Sequence, residues 1–100
     1  MTTVRYLDPA EEEFLTEIEY LEQRTKGLGR RFFHEVKRVE GVIAQFPEAG
    51  EEIRPGIRKR LLRTFRHSVV YSVEPEGVLI IAIAHHSRRP GYWSSRPNPG

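Results

Sequence analysis

The sequence predicts an α+β fold in which a hairpin of two helices covers one face of a small antiparallel sheet, in the order β-α-α-β-β-β. Three observations carry that expectation. Apolar residues recur at helical spacing through the first half of the chain. The period changes to two after Ile57, and Val78 to His85 is almost unbroken apolar sequence between a tight turn and a polar cluster. With 100 residues and no cysteine, the chain has material for one core, and disulfide, thiolate-metal and cysteine-nucleophile chemistry are excluded.

Taken in order, Thr3 to Leu7 is a short strand. Asp8 and Pro9 suit an N-cap and a first helical position, and Glu11, Glu12 and Glu13 complement the positive helix end from a face expected to be solvated. Ala10, Phe14, Ile18 and Leu21 carry that helix to about Arg24 to Lys26. Gly27-Leu28-Gly29 reads as a turn and not a phosphate loop, because it follows a helix and lacks the GKS or GKT sequence. From Arg30, the residues Phe32, Val36, Val39, Ile43 and Phe46 mark a second helix that Pro47 ends. Glu48 to Gly56 is predicted to be a loop.

Ile57 to Arg66 is the next strand, with Ile57, Leu61 and Phe65 on one face. Arg58, Arg60, Leu62 and Arg66 share the other, which the helices are expected to leave open. His67 to Glu74 sets Val69, Tyr71 and Val73 against Ser68, Val70 and Ser72. Pro75-Glu76-Gly77 then turns the chain into the last strand, whose lack of polar alternation marks it as central or covered on both faces. Residues 1–96 read as a single domain. Ser94 to Gly100, with two prolines and no apolar residue, is expected to be loose, with 97–100 as a flexible tail.

The net charge of +2 conceals a polarity along the chain. Residues 1–52 hold seven Lys/Arg against twelve Asp/Glu, while residues 53–100 hold nine against two. Arginine outnumbers lysine thirteen to three, which favours phosphate and carboxylate recognition over mere solubility. The basic half therefore suits a polyanion or an acidic protein. The start of the chain lacks a signal-peptide pattern, and Val78 to Ala84 is too short to span a bilayer. A cytoplasmic protein without a membrane partner is expected.

The candidate site is the cluster at the end of the last strand: His85, His86, Arg88, Arg89, Tyr92, Trp93 and Arg96. Adjacent strand residues point to opposite faces, so His85 and His86 cannot easily share an ion; neither a metal nor a cofactor is expected. Metal-free RNA cleavage needs a base, an acid and cations around a phosphorane. His86 or Tyr92 could exchange the proton, Arg58 or Arg88 could hold the phosphorane, and Tyr92 or Trp93 could stack on a base. The simpler reading folds Tyr92 and Trp93 back as an apolar lid over the sheet edge, with Arg96 solvated. His34 and His67, alone in a helix and a strand, read as structural.

Six phrases in fixed order, LDPAEEEF, GLGRRFFHEV, FPEAG, IRPGIRKRLLRTF, HSVVYSVE and IAIAHHSRRPGYW, are similar to those of the RelE/ParE superfamily, the toxins of bacterial type II toxin–antitoxin pairs. The resemblance covers nearly the whole chain and implies the RelE/ParE-like fold. It also implies a toxin held inactive in a hetero-oligomer by a cognate antitoxin docked along the hairpin and sheet, here at Phe14, Leu21, Arg60 and Leu62. In the nuclease branch, which acts on mRNA at the ribosome, the matching catalytic residues are His86, Tyr92, Arg58, Arg66 and Arg88. The ParE-like branch inhibits DNA gyrase and has no established nuclease site. His85, Arg88, Arg89, Pro90 and Trp93 look like that branch, and His86 stands where the nuclease branch usually has arginine. The resemblance thus favours a non-enzymatic, ParE-like toxin whose target-binding residues are Arg58, Arg60, His85, Arg88, Arg89, Trp93 and Arg96. An antitoxin-binding module without toxicity is the third expectation.

Overall fold

The computed structural model describes residues 2–96, so the predicted tail at 97–100 lies outside the described residues. The elements are β1 (Thr3–Tyr6), α1 (Asp8–Arg24), α2 (Leu28–Gln45), β2 (Glu51–Arg54), β3 (Ile57–Leu61), β4 (His67–Glu74) and β5 (Gly77–His85). The apolar stripes read from the sequence are the ones that pack. Ala10 and Phe14 of α1 and Phe32, Val36, Val39 and Ile43 of α2 are buried against Val69, Tyr71, Val78, Ile80 and Ile83. No helix among the described residues is long and apolar enough to cross a membrane.

Two helix boundaries differ from the sequence reading. Leu7, not Asp8, is the N-cap of α1, and no side chain caps it; Asp8 acts through its charge in the first turn. In the hairpin turn Thr25 is extended and Gly27 is left-handed, with φ of 87°, and α2 starts at Leu28. Gly29 is buried where the helices meet: a Cβ there would lie 2.3 Å from the Ile18 carbonyl oxygen. The Glu22 carboxylate accepts the Gly27 and Gly29 amides at 2.8 and 3.0 Å, so α1 caps α2.

The sheet runs β1-β5-β4-β3-β2. It is mixed, because β1 lies parallel to β5 while the other three pairings are antiparallel. The fifth strand, β2, comes from the predicted loop; four residues long, with Glu51 and Glu52 exposed, it is a short charged edge that carries no apolar alternation. β3 ends at Leu61, earlier than expected. Its register sets Arg58 opposite Tyr71 and Arg60 opposite Val69, and both partners lie beneath the hairpin. The predicted faces are therefore reversed: Arg58 and Arg60 are on the helix side, and Ile57 and Lys59 on the open side. Burial of Tyr71 and Val69 fixes that register. Arg58 donates to the Gly50 carbonyl at 2.8 Å and Arg60 to the Ala49 carbonyl at 3.0 Å, clasping the connection between α2 and β2.

β5 is covered on both faces, as its composition predicts. A register shift opposite Val70 and Tyr71 lets it change sides in mid-strand. Val78, Ile80 and Ile83 meet the hairpin, whereas Ile81 and Ala82 join Val70 and Trp93 on the other face. The Tyr71 hydroxyl, beneath the hairpin, donates to the Pro47 carbonyl at 2.7 Å and accepts the Gly50 amide at 2.9 Å. Tyr71→Phe leaves both backbone groups without that partner, so we expect a loss of about 1–3 kcal/mol, measured as a lower melting temperature.

Candidate functional site

Beyond His85 the chain crosses the end of β5 in successive turns as far as Arg96. β1 pairs with β5 only as far as Ile80, so residues 81–85 have β4 on one side and, among the described residues, no strand on the other. Two side chains fill that place. Arg96 donates through Nη1 to the Ile81 carbonyl at 2.9 Å, and Glu13 accepts the Ile83 amide through Oε1 at 3.1 Å. The two are joined by a bidentate pair, 2.9 and 2.6 Å, and the Tyr92 hydroxyl donates to Glu13 Oε2 at 2.6 Å. Burial raises the Glu13 pKa, but bonds from Arg96, Tyr92 and Ile83 outweigh it and hold the carboxyl below its usual range. Burial and then the bond to Glu13 push Tyr92 far up, so its hydroxyl keeps its proton.

Glu13 and Arg96 are thus not on the solvated surface the sequence suggested. Ser94 to Arg96 are not loose either: Ser94 accepts from Arg54 at 2.6 Å and donates to the Gly91 carbonyl. Trp93 is the apolar lid, buried on Val70, Ile81 and Ala82 with the Arg54 guanidinium 5.0 Å from its ring centre. Two guanidinium groups lie near the Tyr92 ring centre, Arg88 at 3.9 Å and Arg96 at 5.1 Å. Trp93 is thus buried, and the half-buried Tyr92 ring already carries the Arg88 guanidinium.

The five residues of the nuclease reading do not converge. His86 is on the open face, where Nε2 meets the Ser68 hydroxyl at 2.9 Å. The Tyr92 hydroxyl is tied to Glu13, Arg58 is turned to the helix side, Arg66 is exposed in the bend before β4, and Arg88 lies on the Tyr92 ring. Of the expected target-binding set, Arg88 and Arg89 are exposed and His85 is half-buried, while Arg58, Arg60, Trp93 and Arg96 are engaged internally. Of the expected antitoxin contacts, Phe14 and Leu62 are buried in the core, Leu21 is half-buried, and Arg60 holds Ala49. The exposed apolar side chains are instead Leu15, Tyr20, Phe33, Phe46, Leu61 and Val73.

Two clefts flank the end of β5. One of about 460 Å³ lies on the helix side, between α1 and β5, and is lined by Glu12, Glu13, Glu17, His67, His85 and Arg88. The other, about 440 Å³, lies on the open face; Arg54, Lys59 and Arg89 border an apolar floor of Val70 and Ala84 beside His86. Sequence reading missed Glu13, Arg54, Lys59 and Ser68. The only signal was Lys59 alternating with Arg58 and Arg60, once its face is assigned correctly. Among the described residues no group of three or more His, Asp or Glu side chains is placed to hold a metal ion.

Such features define a class, a small α+β protein with a helical hairpin on one sheet face and cations gathered at the end of the last strand. The chain belongs to the ParE toxin family of type II toxin–antitoxin systems, whose model, described as ParE toxin of type II toxin-antitoxin system, parDE, matches residues 4–90. Among solved structures it is similar to one described as a chromosomal ParDE TA system from P. aeruginosa. That match has 14% identity and a TM-score of 0.62 and covers 85% of this chain and 96% of the other, a likeness of fold. No curated protein sequence matches significantly.

The buried His67 donates through Nε2 to Glu17 Oε2, 2.8 Å away, while its Nδ1 has no partner among the described residues. Phe32 and Phe65 pack on its ring, and His85 stands 4.8 Å off. Burial lowers its pKa, against the pull of Glu17 and with the help of His85 and His86. Burial, Lys59 and His85 lower His86 as well. Both take up a proton in the fold at lower pH than their unfolded counterparts, which do so below about pH 6.5. Stability should be complete above that pH and decline as pH falls toward the folded values. His67→Gln, which keeps a donor for Glu17, should flatten part of the decline in a series of melting temperatures between pH 7.5 and about 5.

Proposed function

We propose that this chain is the toxin of a type II toxin–antitoxin pair. It arrests growth in the cytosol by binding DNA gyrase, without chemistry of its own, and a cognate antitoxin neutralises it. The observation that carries the reading is the state of the C-terminal cations. Arg88 and Arg89 are exposed, make no ion pair among the described residues and line clefts on opposite sides of β5. The groups needed to move protons are meanwhile engaged or far apart, as with Tyr92 on Glu13. Exposed guanidinium groups on a fixed backbone suit recognition of an acidic protein surface. Family membership supports the antitoxin, whose acidic and apolar side chains would meet Leu61 of β3, Arg63 in the bend after it, and Leu15, Tyr20 and Phe33 on the hairpin.

Expression without antitoxin should produce filamentous cells with an induced DNA-damage response and intact mRNA. Arg88→Ala with Arg89→Ala should raise the expression level needed for arrest by about tenfold or more and leave antitoxin binding in place. Prompt loss of translated mRNA, suppressed by His86→Ala, would replace this reading with the ribosome-dependent nuclease.

A further inference from the structure

We infer that Glu13, in the first helix, is the positioning residue for the target-binding arginines of the C-terminal segment. The inference rests on the proposed reading that Arg88 and Arg89 contact the target. Glu13 is the one acidic side chain among the described residues that holds this segment; it grips it at two places, the guanidinium of Arg96 and the hydroxyl of Tyr92, and ties both to β5 through the amide of Ile83. The link to Arg88 runs through Tyr92: the Arg88 guanidinium rests 3.9 Å from the centre of the ring whose hydroxyl Glu13 anchors. Arg89 follows in sequence on the other side of the strand end.

A purely stabilising role explains this arrangement poorly. The Glu13 and Arg96 side chains are 18% and 15% exposed, and an ion pair so enclosed spends much of its Coulombic gain on desolvation. What a fork of two short bonds supplies is orientation. Trp93, buried on the open face, and Ser94, bonded to Arg54, hold the segment independently. Loss of Glu13 should therefore free the Arg88 side of the segment and leave its Trp93 side seated.

The test pairs limited trypsin digestion with growth arrest in Glu13→Gln, whose amide oxygen can still accept the Ile83 N–H. Arg89 and Arg96 precede prolines, so within 86–96 trypsin cuts only after Arg88. Cleavage there should accelerate about tenfold or more, cleavage after Arg24 and Lys26 should be unchanged, and arrest should require about tenfold more protein. Acceleration at all sites would mean general unfolding. In that case Tyr92→Phe, which removes one anchor and spares the ion pair, is measured instead and must show the same confined cleavage. An unchanged rate after Arg88, or faster cleavage with arrest at full strength, overturns the inference. If the native protein itself causes no arrest, the toxin reading fails, and digestion still decides whether Glu13 holds the segment.

Discussion

A carboxylate stands where the sheet lacks a strand. β5 runs on past the end of β1, and its uncovered edge would otherwise present unpaired backbone groups, a site for unwanted pairing. Glu13 and Arg96 satisfy an amide and a carbonyl of that edge and each other. The first helix, the last strand and the final turns are thereby joined at one point. The junction also takes in the Tyr92 hydroxyl, and the Arg88 guanidinium rests on the Tyr92 ring.

The second determinant is which face each side chain reaches. The irregularity in β5 moves Ile81 and Ala82 to the open side, so that His85 falls beside His67 under the hairpin and His86 beside Ser68 on the open face. In β3 the register that buries Tyr71 turns Arg58 and Arg60 toward the connection after α2 and leaves Lys59 on the open face. The open face is consequently basic through Arg54, Lys59 and Arg89, with His86 among them. Cations placed this way can recognise negative charge, whereas the proton donors and acceptors are not gathered around one point.

Much of the fold was legible in the sequence. Helical spacing from Ala10 to Ile43 identified the hairpin and its buried stripes, and the apolar run of β5 declared its double burial. β2 was hidden because four residues with two exposed glutamates carry no periodic signal. The faces of β3 were misassigned because the strand ends at Leu61, and only the partner strand reveals which alternate residues are covered. Glu13 is seventy positions from Ile83 and 83 from Arg96, so nothing local distinguished it from Glu11 and Glu12. The candidate segment itself was visible as a cluster of residue types, but its division into lid, clasp and exposed cations depends on long-range contacts.

The central claim is binding through exposed arginines without chemistry by the histidine. It is tested most directly by DNA supercoiling with purified gyrase in the presence of the native protein, His86→Ala, and Arg88→Ala combined with Arg89→Ala. Inhibition by the native protein, retained in His86→Ala and weakened about tenfold or more in the double variant, is the predicted result. Full supercoiling activity in the presence of the native protein, or inhibition lost in His86→Ala and kept in the double variant, would contradict the account.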